Sequence, residues 1–226
     1  MSSTALNMSS GASTPRLRIN EIFFSLQGEA RTVGFPTVFV RLTGCPLRCV
    51  YCDTEYAFTE GDWMSLDGIL ERVQEHSPRY VTVTGGEPLA QPACRKLMRR
   101  LCDSGYNVSI ETSGAFDIAD IDARVSIVMD LKAPGSGEAA KNRYDNIALL
   151  QAKDQVKFVI GDRADYEWSR AKVAEYGLDA RCELLFSPVH GQLDPTQLAE
   201  WILADRLPVR LQIQLHKILW SDARGR

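Results

Sequence analysis

The sequence of 226 residues predicts an α/β fold with parallel strands, arranged as an open, partial (β/α)6 barrel in one domain over residues 16–226. Three observations carry this. Short β-branched or apolar runs alternate with helical patterns along most of the chain, the signature of right-handed βαβ units. Every polar motif falls immediately after one of those runs, at the edge where parallel α/β folds bind ligands. The repeats are too few to close an eightfold barrel.

Taken in order, Arg16 to Phe24 alternates enough for a short strand, and Ser25-Leu26-Gln27-Gly28-Glu29-Ala30 reads as the turn that breaks it. Thr37 to Leu42 is a β-branched and aromatic strand that delivers a cysteine-rich loop. Ser65 can cap a helix whose apolar face is Leu66, Ile69, Leu70 and Val73. Tyr80 to Thr84 is the next strand and ends at Gly85-Gly86. Gln91 to Ser104 reads as a helix closed by Gly105, and Asn107 to Ile110 as a strand entering Glu111-Thr112-Ser113-Gly114. Val125 to Leu131 is an apolar strand ending in Asp130-Leu131-Lys132. Tyr144 to Gln151 is helical, Gln155 to Ile160 a strand, and Ala164 to Tyr176 a helix stopped by Gly177. Cys182 to Phe186 is a strand running into Ser187-Pro188-Val189-His190. Pro195 to Leu203 closes the pattern as a helix, and Val209 to Leu215 as a final strand before His216-Lys217.

Composition narrows the class. Hydrophobic residues at 45% and charged residues at 24% are ordinary for a soluble globular domain. A formal net charge of -3 leaves no basic footprint for nucleic acid. No apolar run is long enough to span a bilayer, so a membrane is not expected as a partner either. Met1 to Pro15 is rich in Ser, Thr and Ala without a basic start or apolar core; it lacks a secretory-signal pattern and reads as a disordered tail. Three of the cysteines are clustered, which argues against a secreted disulfide framework. Cys94, Cys102 and Cys182 are scattered and read as buried small hydrophobes. A reducing, cytoplasmic setting fits this usage.

The chemistry concentrates in Thr43-Gly44-Cys45-Pro46-Leu47-Arg48-Cys49-Val50-Tyr51-Cys52-Asp53-Thr54, which carries C-x3-C-x2-C. Thiolates ligate soft metals, and short loop spacings hold iron–sulfur clusters. Three ligands leave one iron of a four-iron cluster open to a substrate or cofactor. On spacing alone, a zinc site short of one ligand and metal-free thiols remain alternatives. A second motif, Thr84-Gly85-Gly86-Glu87-Pro88, closes a later strand.

These two motifs, in this order and with the aromatic Tyr51 before the third cysteine, resemble the radical S-adenosylmethionine enzymes, whose usual fold is the partial barrel. Four more features narrow the resemblance: Ser25-Leu26-Gln27-Gly28-Glu29, Arg41 four residues before Cys45, Cys52-Asp53-Thr54, and Gln214-Leu215-His216-Lys217. From about Leu17 to His216 the chain is similar to the 7-carboxy-7-deazaguanine synthases of queuosine and deazapurine biosynthesis. That resemblance implies conversion of 6-carboxy-5,6,7,8-tetrahydropterin into 7-carboxy-7-deazaguanine with loss of ammonia. It implies a [4Fe-4S] cluster, S-adenosyl-L-methionine and Mg2+, an electron donor such as flavodoxin or ferredoxin, and a homodimer.

Residue roles follow from the same resemblance. Cys45, Cys49 and Cys52 would ligate three irons. Tyr51, Cys52, Asp53, Gly86, Ser113, Asp130, Leu131, Lys132, Ser187, Pro188 and Val189 would surround S-adenosylmethionine. For Tyr51 the ordinary alternative is loop packing; for Ser113, Asp130 and Lys132 it is a solvated strand end; for Ser187-Pro188-Val189 it is a plain turn. Gly85-Gly86 would let backbone approach the cofactor, with a tight turn as the alternative reading of Gly86-Glu87-Pro88. Thr54 would ligate magnesium through its hydroxyl, unless that hydroxyl caps the following turn. Leu26, Gln27, Gly28, Arg41, Thr84, His216 and Arg226 would meet the substrate, with a satisfied structural histidine as the alternative for His216. A glycyl-radical activating enzyme would share the first two motifs but would not need Gln27 and Arg41 placed for a pterin. A zinc-stabilised binding module is the non-enzymatic rival.

Overall fold

A computed structural model describes residues 15–221 and 223–226; the expected tail over residues 1–15 lies outside it except for Pro15. One sheet runs in the order β3-β1-β2-β4-β5-β6-β7-β8-β9. Its strands are β1 (Arg16–Leu26), β2 (Pro36–Leu42), β3 (Asp62–Ser65), β4 (Tyr80–Gly85), β5 (Asn107–Thr112), β6 (Ser126–Asp130), β7 (Gln155–Ile160), β8 (Glu183–Pro188) and β9 (Arg210–Leu211). From β2 onward neighbours pair in parallel, β4 through β9 following in chain order. The α/β open barrel is therefore the fold, extended by two antiparallel strands at one edge.

Those two edge strands depart from the expectation. β1 runs two residues past Phe24, to Leu26, and lies antiparallel to β2 rather than entering a βαβ unit. The loop between them is closed at its base, Gln27 N–H donating to the Phe35 carbonyl at 2.9 Å and Gly34 N–H to the Gln27 carbonyl at 2.8 Å. β3 was not anticipated; Asp62-Trp63-Met64-Ser65 is too short and too polar to announce a strand, and its register comes from β1.

The helices are α1 (Leu66–Gln74), α2 (Cys94–Asp103), α3 (Arg163–Tyr176), α4 (Pro195–Asp205) and α5 (Leu215–Trp220). Ser65 caps α1 by accepting from Gly68 N–H at 3.1 Å, as its position predicts. Asp162 and Asp194 do the same for α3 and α4. Gly177 ends α3 at φ 56, the left-handed conformation glycine adopts without strain. Three expected elements are corrected. α2 starts at Cys94, because Pro88–Ala90 forms a 3-10 turn first. Tyr144–Leu149 is 3-10, not α. The last strand keeps only Arg210–Leu211, and Leu215 opens α5 instead of ending a strand.

Strand alternation decides what each face carries. Val38, Val40 and Leu42 of β2 point into the layer beneath the helices, with Val81 and Val83, Val108 and Ile110, Val156 and Phe158 behind them in one buried cluster. The other face is concave. It receives Phe39 and Arg41, Thr84, Glu111, Asp130, Lys157 and Ser187 from successive strands, and all of these line a single cavity of about 750 Å³. Ala30, Val128 and Leu185 form a small buried cluster also on the inner positions.

Candidate active site

The cysteine loop is seated by the second motif. Gly86 N–H donates to the Leu42 carbonyl at 3.2 Å and Glu87 N–H to the Gly44 carbonyl at 2.8 Å. A Cβ on Gly86 would stand 2.4 Å from the Gly44 carbonyl oxygen and 2.7 Å from Cys45 Cβ. The glycine is thus required by the approach of the cysteine loop's own backbone, the close approach glycine permits. Glu87 is fully buried among protein donors. It accepts from Ser113 N–H and hydroxyl at 2.6 Å each, from the Thr112 hydroxyl at 2.9 Å and from Leu89 N–H at 2.9 Å. This carboxylate ties the ends of β4 and β5 together beneath the loop. Replacing it by Ala strands at least three buried donors, so Glu87→Ala should cost about 3–5 kcal/mol in urea unfolding of the apoprotein. A loss below about 1 kcal/mol would mean Glu87 is not structural.

The three thiols line the same cavity and none is in a disulfide. Burial pushes the Cys45 and Cys49 thiols up, and each feels the neighbouring cysteines in the same direction. Lys132 opposes that rise for both. Buried thiolates so close need compensating positive charge, which iron supplies. Among the described residues, no three His, Cys, Asp or Glu side chains gather on one ion position. The donor set fits a cluster of several irons better than a structural zinc.

Apart from Leu131, every residue predicted for a cofactor, metal or substrate lines this cavity. Leu131 sits on the opposite face, buried in the main core cluster, so only its backbone could take part. Tyr51 reaches across to β7, its hydroxyl 3.5 Å from the Val159 carbonyl. Asp130 Oδ2 accepts from Lys132 Nζ at 2.9 Å, while Asp130 Oδ1 is buried with no hydrogen-bond partner among the described residues. With the Lys157 ammonium near it at 3.6 Å, that oxygen has room to accept a ligand hydroxyl or amine. Ser113 spends its donors on Glu87 and can only accept. Ser187 and Pro188 end β8, and Val189 N–H donates to the Ile160 carbonyl at 2.9 Å, so this segment is a strand end rather than a free turn.

Opposite the cysteines lies a polar wall that sequence reading found only in part. Gln27 Nε2 donates to the Thr82 hydroxyl at 3.1 Å and to Glu111 at 3.3 Å, and its Oε1 accepts from Glu29 N–H at 3.2 Å. The Thr84 hydroxyl donates to Glu111 at 2.9 Å. Lys157 Nζ is 2.6 Å from Glu29 and 3.6 Å from Asp130. Burial alone would raise Glu29, yet the Lys157 ammonium holds it below the ordinary carboxylate value. Glu111 is pushed up, first by burial and then by Glu29. Glu29, Glu111 and Lys157 were missed as site residues. For Lys157 a signal was available, an inward strand position flanked by the outward, apolar Val156 and Phe158; Glu29 and Glu111 had no such apolar flanks on both sides.

Arg41 projects into the mouth, as a residue near the strand's C-terminal end should. Its Nε donates to Glu21 at 2.8 Å, and its guanidinium lies 5.7 Å from the Phe23 ring and 5.9 Å from the Tyr56 ring. The C-terminal segment forms a roof. Leu215 N–H donates to the Gly28 carbonyl at 3.0 Å, and Gln214 reaches Asp53 at 3.3 Å. A Cβ on Gly28 would meet His216 Nδ1 at 2.2 Å, so glycine there admits the imidazole. Burial lowers the His216 pKa and keeps the ring neutral. Arg226 lines the cavity from the end of the tail.

A parallel half-barrel that presents three loop thiols and a polar wall to one cavity defines the radical S-adenosylmethionine class, and residues 39–132 match the Radical SAM superfamily. A 7-carboxy-7-deazaguanine synthase from Chlorobaculum tepidum is 45% identical over 213 residues, covering 92% of this chain and 97% of the relative. One from Koribacter versatilis is 44% identical, covering 91% and 97%. The chain belongs to the 7-carboxy-7-deazaguanine synthase family. A crystal structure of QueE from Escherichia coli is similar with a TM-score of 0.72 at 25% identity, covering 89% of this chain and 95% of that one. Streptococcus suis SuiB bound to S-adenosylmethionine is similar in fold alone, with a TM-score of 0.51 at 13% identity over 76% of this chain and 44% of that one. Among the described residues no helix is long and apolar enough to cross a membrane.

Proposed function

We propose that the chain converts 6-carboxy-5,6,7,8-tetrahydropterin into 7-carboxy-7-deazaguanine and ammonia. The observation that carries this reading is the convergence of Gln27, Arg41, Thr84 and Glu111 on one wall of the cavity that the cysteine loop also lines. Cys45, Cys49 and Cys52 would hold three irons of a [4Fe-4S] cluster. Asp130, Lys132 and the end of β8 would border S-adenosylmethionine. Bound together, these groups supply a 5′-deoxyadenosyl radical, and that hard step is the cofactor's.

The chain's own residues do the rest. Gln27 offers an amide to the amide-like edge of a pterin. Arg41 has Nε committed to Glu21, and its remaining donors suit a substrate carboxylate. Glu111, whose carboxyl is raised by burial, accepts from Gln27 and Thr84 and could exchange a proton with the ring amine that leaves as ammonia. Gln214 and His216, lining the cavity from the C-terminal segment, would help keep water from a reactive intermediate.

Thr54 supports a magnesium site. Its hydroxyl makes no cap hydrogen bond with the 3-10 turn Glu55–Phe58 that it precedes, so the ordinary capping role is not taken. Magnesium prefers oxygen donors and retains waters, which suits one hydroxyl beside substrate oxygens. Thr54→Ala should keep the cluster and lose most of the magnesium stimulation of turnover. An unchanged magnesium response would reduce Thr54 to a loop residue.

A glycyl-radical activating enzyme would leave the Gln27, Arg41 and Thr84 wall without a ligand. The deciding experiment is anaerobic incubation with the tetrahydropterin, S-adenosylmethionine and reductant. Product absorbance with release of ammonia supports the synthase, and inert pterin with intact cofactor cleavage overturns it. The reading also takes a flavodoxin or ferredoxin as electron donor and a homodimer as the working form, which sedimentation of the loaded enzyme tests.

A further inference from the structure

Tyr56 joins the C-terminal tail to Arg41. Its ring lies 3.9 Å from the Arg224 guanidinium and 5.9 Å from that of Arg41, so one aromatic serves two cations. The Tyr56 hydroxyl donates to Glu21 Oε1 at 3.0 Å, the same oxygen that accepts from Arg41 Nε at 2.8 Å. Arg224 is held from its other side by Glu60 at 3.3 Å. Arg41, Tyr56, Arg224 and Gly225 all line the cavity.

We propose that Arg224, acting through Tyr56 and Glu21, is a positioning residue that pre-sets Arg41 for an anionic ligand. This rests on the reading of Arg41 as the anchor for the substrate carboxylate. The physical logic is pre-organisation. An arginine free to swing loses side-chain entropy when it captures a ligand, and that loss is removed beforehand if the guanidinium is already fixed. Glu21 fixes Arg41 through Nε. Glu21 in turn keeps its place because the Tyr56 hydroxyl occupies the same oxygen. Tyr56 stays put because Arg224 covers its face, a contact of the kind guanidinium makes best. The tail therefore contributes to substrate affinity without touching the reacting atoms.

The test is a cycle on the intact, cluster-loaded enzyme, reading KM and kcat for the tetrahydropterin and its Kd by equilibrium dialysis. Arg224→Ala and Tyr56→Phe should each raise Kd and KM about fivefold to tenfold, an effect of about 1 to 1.4 kcal/mol, with kcat within about twofold. Arg224→Lys should recover only part of the loss, since an ammonium lacks the planar face. In an Arg41→Ala background neither substitution should raise Kd further, because the residue they position is gone. If Arg224→Ala and Tyr56→Phe still raise Kd in that background, they act elsewhere and the proposal falls. It also falls if Arg41→Ala weakens binding while both single variants bind normally, an outcome that leaves the substrate-site reading standing. Normal binding in Arg41→Ala itself removes that reading and the proposal with it. Side chains of Arg224 and Glu60 are 60% and 57% exposed, so Arg224→Ala should leave the thermal unfolding midpoint within a few degrees.

Discussion

Replacing Cys49 by Ala is expected to abolish both the brown iron–sulfur chromophore and cleavage of S-adenosylmethionine, by at least about a hundredfold, because a cluster held by three thiolates has no spare protein ligand. The same holds for Cys45 and Cys52. Cys94→Ala and Cys182→Ala should keep chromophore and cleavage. Cys94 is fully buried in the main core cluster and Cys182 nearly so, and burial raises both thiols, that of Cys182 to about 11. Such a thiol is inert packing. Reconstituting all five variants anaerobically and reading absorbance, iron content and deoxyadenosine release checks the set. A Cys49→Ala protein that still cleaves the cofactor at the wild-type rate would remove the cluster from this loop. Loss of chromophore in Cys94→Ala with the fold intact would extend the ligand set beyond it.

How far the sequence could be read depended on which signals were local. The parallel strands announced themselves because β-branched and aromatic runs such as Thr37 to Leu42 need no distant partner to be recognised. Val209 to Leu215 held as a strand only over Arg210–Leu211, which pair in parallel with Leu185 and Phe186 of β8. Beyond them Gln212 N–H donates to the Phe186 carbonyl and Leu215 turns to the Gly28 carbonyl. The antiparallel β1 was equally opaque, because the direction of pairing is set across the hairpin and not by composition. Within the site, motif residues were legible and the wall behind them was less so. Glu87 sits in a motif, and its four donors are all protein groups, from the end of β5 and the turn it caps. Lys157 looked like an ordinary strand charge, and only the return of the chain at Glu29, paired with it at 2.6 Å, makes it part of the cavity. Asp130 and Leu131 show the same rule at single-residue resolution: adjacent positions on a strand end face opposite sides, one into the cavity and one into the core.

That wall carries one more carboxylate than cation. Arg41, Lys132 and Lys157 face Glu21, Glu29, Glu111 and Asp130, with each cation paired to a carboxylate within 3 Å. Buried charge at this density is tolerated only when it is paired and hydrogen-bonded. It rewards a ligand that brings its own hydrogen-bonding edge, and penalises an apolar one.

Arg41→Ala is expected to weaken tetrahydropterin binding by about a hundredfold or more while the cluster still assembles. The side chain is 14% exposed and held protonated: burial opposes its charge, but Tyr56 and Glu21 beside it outweigh the penalty. Removing one partner of a buried guanidinium–carboxylate pair costs roughly 3–5 kcal/mol, and each factor of ten in affinity is about 1.4 kcal/mol. Glu21 is left with the Tyr56 hydroxyl alone, so part of the cost falls on the free enzyme, and the upper end of that range is not expected in Kd. Arg41→Lys should recover little, because an ammonium cannot give Nε to Glu21 and a fork to the ligand together. Gln27→Ala should weaken binding less, since a neutral amide contributes about 0.5–1.5 kcal/mol per hydrogen bond. Deoxyadenosine release driven by a strong reductant without pterin should persist in all three, because none of these side chains belongs to the cysteine loop. Equilibrium dialysis of the pterin beside deoxyadenosine release separates the two activities. Wild-type pterin affinity in both Arg41→Ala and Gln27→Ala would move the substrate to another wall, and loss of uncoupled cleavage in a folded Arg41→Ala protein would place Arg41 with the cofactor instead.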